Sequence, residues 1–464
     1  MRLEEITGIL SRYFELALIA VVVLGAILVI GYFVVYRKLM GGKKRLSIKS
    51  WLVGGMFTGY IIMVLGVTFL SRGPGFENEM NLSLFYSYRD AWHGFSVRHW
   101  QFVILNIVMF VPLGILLPLL HPRFKKAGWT IGAAFLFTLF IESTQFVTKF
   151  GRFVVDDLFN NFIGGIIGYG ICMGIMRLKE RRVKPAILNF MPLLLVVAMF
   201  GGLFGYYHLK EFGNLAIVPA MKADMSDAYI TTDVEFDDRK ATSTVYKAPF
   251  YTQKEGDAFV LDFFEKMDID TSNLETIYYQ NEGVYTVRDS GSHYIWFYGI
   301  GGSYRYSDWS AYGESAEPKE VEEDDLREIV EDFGIDLPAE ATFKQVEDSG
   351  HYNFTVDKLT QGNQLIDGTL TIGFYSDDTI KVIDNNLVTY DKVRDKEIKS
   401  EKDAYEQILK GNFQHFSPDR KVTSLHVYDV TISYFLDSKG YYQPVYAFYS
   451  ELDGEEVTIL VPGI

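Results

Sequence analysis

Six stretches of about twenty mostly apolar residues constrain this chain more than any other feature, at about 16–36, 51–70, 102–120, 128–147, 155–176 and 187–207. Crossing ~30 Å of hydrocarbon takes about 20 helical residues, and a helix satisfies its backbone polar groups without water. The sequence therefore predicts a bundle of six transmembrane helices. Arg37, Lys38, Lys43, Lys44, Arg45 and Lys49 follow the first stretch; Arg123, Lys125 and Lys126 follow the third. Arg177, Lys179, Arg181, Arg182 and Lys184 follow the fifth. Positive charge is retained on the cytoplasmic side. The N-terminus, the loop 71–101, the turn 148–154 and everything after about 208 are accordingly expected outside the cell. The first stretch does not read as a cleavable signal, because Glu4, Glu5 and Glu15 precede it and the basic cluster follows it.

Charge separates two environments. Residues 1–207 hold 21 Lys+Arg against 10 Asp+Glu, which leaves 23 against 49 for residues 208–464 out of totals of 44 and 59. The halves are thus near +11 and −26, and the net −15 of the 464-residue chain describes neither. Cys172, the one cysteine, lies in an apolar run, so no disulfide forms within one copy. An exported acidic domain of this size then needs a core that folds without staples, which fits a Gram-positive surface protein.

In the acidic half, helices are predicted at 255–267, 321–333 and 401–411. Each is followed by aromatic-rich strands: 276–279, 283–288 and 294–298; then 342–347, 352–357, 369–375 and 380–383; then 424–435, 442–450 and 455–461. The turns Asp437-Ser438-Lys439-Gly440 and Asp453-Gly454 mark hairpins. The expected class is an α+β domain of about three repeated helix and antiparallel-meander units. The run Glu320, Glu322, Glu323, Asp324, Asp325 reads as a solvated helix N-terminus, where carboxylates favour the macrodipole, rather than as a calcium site. This half has no metal-ligand spacing, nucleophile elbow or phosphate-binding glycine loop. No metal, cofactor or nucleic-acid partner is expected; an extracellular protein or peptide is the partner this domain would take.

Ionisable groups within a bilayer cost at least ~2.5 kcal/mol each, which makes them functional candidates. Asn106 lies near the outer start of the third span, Glu142 and Gln145 near the outer end of the fourth. Arg152 is in the outer turn; Asp156, Asp157 and Asn161 open the fifth span. At 1.5 Å per residue all share one depth. Glu142 and Gln145 share a helix face, as do Asp157, Asn161, Gly164 and Gly168, a stripe that permits close helix approach. Pro112 and Gly114 can kink the third helix. The set predicts a polar cavity opening outward. Pairing of Glu142 with Arg152, with the amides as interhelical glue, is the purely structural alternative.

These residues carry a resemblance. Asn81-Leu82-Ser83-Leu84-Phe85 with Arg89, then 106–114, Glu142-Ser143-Thr144-Gln145, Gly151-Arg152 and 156–165 with Gly168-Tyr169 resemble the VanZ-like family over about 57–178. Asn106, Pro112, Gly114, Glu142, Gln145, Arg152, Asp157, Asn161 and Gly164 occupy the positions of that pattern. Leu84 stands where the family usually has proline, and Val154 and Val155 stand where it has an earlier acidic residue. The resemblance implies an envelope function connected with teicoplanin-type glycopeptide or related antimicrobial resistance, and it implies no reaction. The closing pattern Gln443-Pro444-Val445-Tyr446-Ala447-Phe448, Asp453-Gly454 and 457–461 resembles PepSY-like or YycI-type extracellular domains.

Three functions remain open at this point. In the first, the cavity engages a membrane lipid or lipid-linked wall precursor while the acidic domain binds or senses something outside. In the second, an intramembrane hydrolase or transferase acts on a lipid head group, with Glu142 or Asp157 as acid or base and Arg152 stabilising an anion. In the third the protein is a transporter, ranked last because the six stretches show no inverted repeat.

Overall fold

The computed structural model of the protein describes residues 38, 47–70, 79–288, 292–309, 319–346, 350–375, 379–415 and 421–464. The chain divides into two compact units, Met1–Glu211 and Phe212–Ile464.

Five helices of the first unit are long and apolar enough to cross a membrane among the described residues. They are α1 (Ile48–Leu65, continued by a π-helical turn Gly66–Leu70), α3 (Val97–Leu120), α4 (Ala127–Thr148), α5 (Val155–Lys179) and α6 (Val183–Leu209). The apolar stretch 16–36 lies outside the described residues. A further short helix, α2 (Tyr86–Gly94), sits in the loop before α3 and was not expected from the sequence. At 9 residues it is too short to give a span-length signal.

Helices α3 and α5 pack backbone to backbone. A Cβ on Gly164 would run into the carbonyl oxygen of Ile107, one on Gly168 into that of Val111, and one on Gly114 into that of Gly165. Removing side chains is what allows this approach, since lipid provides no hydrophobic drive and contact must come from close packing. Pro112 is accommodated inside α3, which runs on to Leu120. The Tyr60 hydroxyl donates to the Met109 carbonyl at 3.0 Å, beside the Val108 carbonyl that Pro112 leaves without its usual N–H.

The second unit is built on one sheet of fourteen strands among the described residues. In chain order these are β3 (Tyr229–Thr232), β4 (Thr242–Lys247), β5 (Leu274–Tyr279), β6 (Glu282–Arg288), β7 (Ser292–Tyr298), β8 (Tyr304–Asp308) and β9 (Thr342–Val346). They continue with β10 (His351–Gln361), β11 (Gln364–Phe374), β12 (Ile380–Asn385), β13 (Val388–Glu397), β14 (Ser424–Leu436), β15 (Tyr441–Leu452) and β16 (Glu455–Pro462). The short pair β1 (Met80–Asn81) and β2 (Phe153–Val154) belongs to the first unit. The main path runs β3-β14-β15-β4-β13-β11-β12-β8-β7-β6-β5, with β9 added to β10, β10 to β11 and β16 to β15.

Helices α7 (Gln253–Lys266), α8 (Glu323–Asp332) and α9 (Glu401–Leu409) each precede a group of strands, as the sequence suggests. The groups nevertheless share a single sheet. The joints are three strands not expected from the sequence: β13, bonded to β11 and β4, and two shorter ones, β8, bonded to β7 and β12, and β4, bonded to β13 and β15. The latter two are short and rich in Ser, Thr or Tyr, and β8 follows a Gly-Gly turn, so neither stands out before its neighbours are known. One large core packs α7 and α8 on β5–β8 and β10–β12 through Phe263, Phe264, Leu326, Tyr306 and Phe354. A second core seats α9 on β14–β16 through Ile408, Phe413 and Phe448.

Local chemistry explains the helix starts and tight turns. Thr252 and Glu255 form a reciprocal capping box at α7. The acidic run falls on the first turn of α8, with Leu326 and Val330 turned inward. At the β15–β16 turn, Asp453 and Gly454 both take positive φ, at 52° and 87°, matching the right-handed strand twist. In the β14–β15 loop the buried carboxylate of Asp437 accepts from the amides of Gly213 (2.6 Å), Lys439 (2.7 Å) and Tyr441 (2.9 Å) and from Gln443 Nε2 (2.5 Å). Asp437→Ala leaves those donors without an acceptor. We expect a loss of about 3 kcal/mol in the second unit, read as a lower thermal midpoint, with the first unit unaffected.

Candidate functional site

The polar residues of the first unit gather where α5 begins. Asp156 and Asp157 occupy its first turn, where exposed N–H groups favour negative charge. Asp156 is fully buried, and its carboxylate accepts from the Phe85 amide at 2.5 Å and the Ser87 amide at 2.7 Å. It thereby caps α2 from 71 positions away in the chain. Phe85, the N-cap residue of that helix, has no side-chain acceptor of its own and sits in the left-handed region at φ 64°. The Tyr88 hydroxyl donates to Asn160 Oδ1 at 2.5 Å. Burial, and then the Asp156 charge, push the Tyr88 phenol up to about 12, so it stays a donor at any physiological pH.

The same corner is tied at its rim. Strands β1 and β2 pair in parallel, Met80 against Phe153 and Asn81 against Val154. The Phe153 amide donates to the Glu79 carbonyl at 3.0 Å, and Arg152 forms an ion pair with Glu79. Arg152 thus stands apart from the buried set, with its side chain 70% exposed.

Deeper in, Asn106 Nδ2 of α3 donates to Asp157 Oδ1 at 2.5 Å. Glu142 of α4, 2% exposed, accepts from the Val154 amide at 3.4 Å. Gln145 Nε2 donates to the Thr68 carbonyl at 3.1 Å, at the π-helical turn that ends α1. Asn161 Nδ2 donates to Thr138 Oγ1 of α4 at 3.0 Å. The seven expected residues therefore do not all bond one another. Asn106 and Asp157 form a pair, Asp156 and Glu142 each hold backbone N–H groups around the start of α5, and Gln145 and Asn161 tie α4 to α1 and α5.

Two atoms of this cluster have no protein partner although they are buried: Asn160 Nδ2 and Asn161 Oδ1. A buried amide atom left unpaired costs about 1–3 kcal/mol, so these are the atoms at which a ligand or water gains most. Asn160 was not among the residues singled out from the sequence, although it adjoins Asn161. Tyr88, Ser87 and Thr138 were also missed. Neighbouring polarity was the only available signal for Asn160, and for the others there was none.

Similarity to a known family includes these residues. Residues 57–177 match the family profile VanZ/LLP1. An uncharacterized protein from Eubacterium rectale ATCC 33656 is similar at 11% identity, covering 50% of this chain and 86% of that one, with a TM-score of 0.24. The Bacillus megaterium YpeB C-terminal domain is similar at 9% identity, covering 46% of this chain and 94% of that one, with a TM-score of 0.21. No curated protein matches the chain significantly. Helix α2, the corner around Asp156 and the α3–α5 glycine contact all lie within the residues that match the VanZ/LLP1 profile.

Proposed function

We propose that this protein works in the bacterial cell envelope, where the corner around the start of α5 binds the head group of a membrane lipid or lipid-linked wall precursor from the outer leaflet. The observation that carries the reading is the pair of buried, unpartnered amide atoms on Asn160 and Asn161, set beside Asp156, Asp157 and Glu142 inside the VanZ/LLP1 segment. The alternation of basic loops supports an outward-facing corner and an acidic extracellular second unit that binds or senses an external partner. Reduced susceptibility to glycopeptides of the teicoplanin type is the cellular outcome this reading supports.

The test is direct binding. The full chain in nanodiscs is titrated with undecaprenyl-diphosphate carrying a disaccharide-pentapeptide. Asn160→Leu and Asn161→Leu are each expected to weaken binding by roughly tenfold, the value of one good buried hydrogen bond. Absence of binding, together with unchanged teicoplanin susceptibility on deletion of the gene, overturns the reading. Glu142→Gln separates binding from chemistry: full cellular activity in that variant excludes Glu142 as a proton-transfer group, whereas turnover of the lipid by the native protein and none by the variant replaces binding with catalysis.

A further inference from the structure

Outward positions on a half-buried strand are ordinarily polar. Along β7 they are Tyr294, Trp296 and Tyr298, alternating with Ile295 and Phe297, which face the α7–α8 core. The Tyr279 ring on β5 lies 5.9 Å from Trp296 at an interplanar angle of 9°, and Trp296 lies 6.0 Å from Tyr298 at 15°. Tyr279 and Tyr298 each remain 36% exposed. Glu282 on β6 accepts from Trp296 Nε1 at 3.0 Å, and Arg305 on β8 stands directly opposite Trp296. Tyr279 and Glu282 also line a cleft at the β5–β6 turn, to which Gln253, Gln280, Asn281 and Tyr251 contribute.

We propose that this aromatic strip and its cleft bind a neutral oligosaccharide. A pyranose ring offers a C–H face to an aromatic ring and equatorial hydroxyls to planar carboxylate and amide groups. The strip supplies near-parallel rings in a row, and the cleft supplies two amides of the turn, Gln253 and a carboxylate. The charges beside the rings are Glu282 and Asp384 with Arg305, which pairs with Asp384, a balance that disfavours an anionic ligand. The inference deepens the proposed function by giving the second unit a ligand class. It rests on that reading only for the source of the glycan, the cell wall, and not for the binding chemistry.

The full chain in detergent micelles is titrated calorimetrically with the β-1,4-linked hexamers of N-acetylglucosamine and of glucose. Saturable binding of at least one is expected. Tyr298→Ser and Trp296→Ala each weaken it by roughly tenfold, Trp296→Phe retains most of it, and Tyr428→Ala, on the exposed side of β14, leaves it unchanged. Since Tyr298 is partly exposed, Tyr298→Ser keeps the thermal midpoint and tests the site even if Trp296→Ala fails to fold. No saturable binding of either hexamer, or undiminished binding by folded Tyr298→Ser, overturns the proposal. Protease protection of the second unit in intact cells tests placement separately. A cytoplasmic result removes the wall as the source of the glycan and leaves the binding result standing.

Discussion

Gly164→Leu is expected to prevent the first unit from reaching its folded state. The new side chain would start at a Cβ already driven into the Ile107 carbonyl oxygen and pressed 3.0 Å from Phe110 Cβ. Backbone cannot yield there without separating α3 from α5 along their whole contact, because Gly168 meets Val111 and Gly114 meets Gly165 and Tyr169 in the same way. Overpacking of an ordinary core costs about 1–3 kcal/mol, and a clash with backbone lies at or beyond the top of that range. Even Gly164→Ala should lower the thermal midpoint of the purified protein in detergent by several degrees. Gly132→Ala is the control. Nothing lies within 4 Å of its Cβ position, and alanine is the better helix former, so stability should be unchanged or slightly raised. Equal midpoints for the two alanine variants would show that α3 and α5 are not packed through this seam.

Asp156→Ala is expected to release α2 from the start of α5. Two amides, those of Phe85 and Ser87, would lose their acceptor in a site where Asp156 is fully buried. Leaving such groups unpaired and removing a helix cap together cost about 2–4 kcal/mol. The effect should be local. Hydrogen exchange in residues 85–95 should accelerate by roughly tenfold to a thousandfold, while α4 and α6 keep their protection. Asp156→Asn, which keeps one acceptor oxygen, should fall between. Tyr88→Phe, which removes only the bond to Asn160, should produce a smaller change in the same segment. Unaltered exchange across 85–95 in Asp156→Ala would mean that α2 is held by its aromatic contacts, such as Phe85 against Phe159, and not by this carboxylate.

The two results concern different kinds of information in the chain. The spans from 51 onward were readable because hydrocarbon demands about 20 apolar residues in a row, a requirement that admits few substitutes. The acidic first turn of α8 and the Asp453-Gly454 turn were readable for a related reason: each is complete within a few residues. The spacing of Asp157, Asn161, Gly164 and Gly168 likewise placed them on one face of a helix.

Partners at long separation were not readable. Nothing local to Asp156 points to the amides of residues 85 and 87, and an isolated Asp at a helix start would serve its own helix instead. Arg152 could be assigned to Glu142 from proximity in sequence, but the parallel pairing of β1 with β2 carries it to Glu79. The three helix-and-strand groups of the second unit merge into one sheet through β4, β8 and β13, whose sequences carry no strong strand signal of their own. Hydrophobic length and turn chemistry are short-range properties, and the sequence alone determined them. Which carboxylate holds which loop, and which strand joins which neighbour, were decided only in the tertiary structure, because buried hydrogen-bond groups must be satisfied by whatever donor or acceptor the packed chain brings within 3 Å or so.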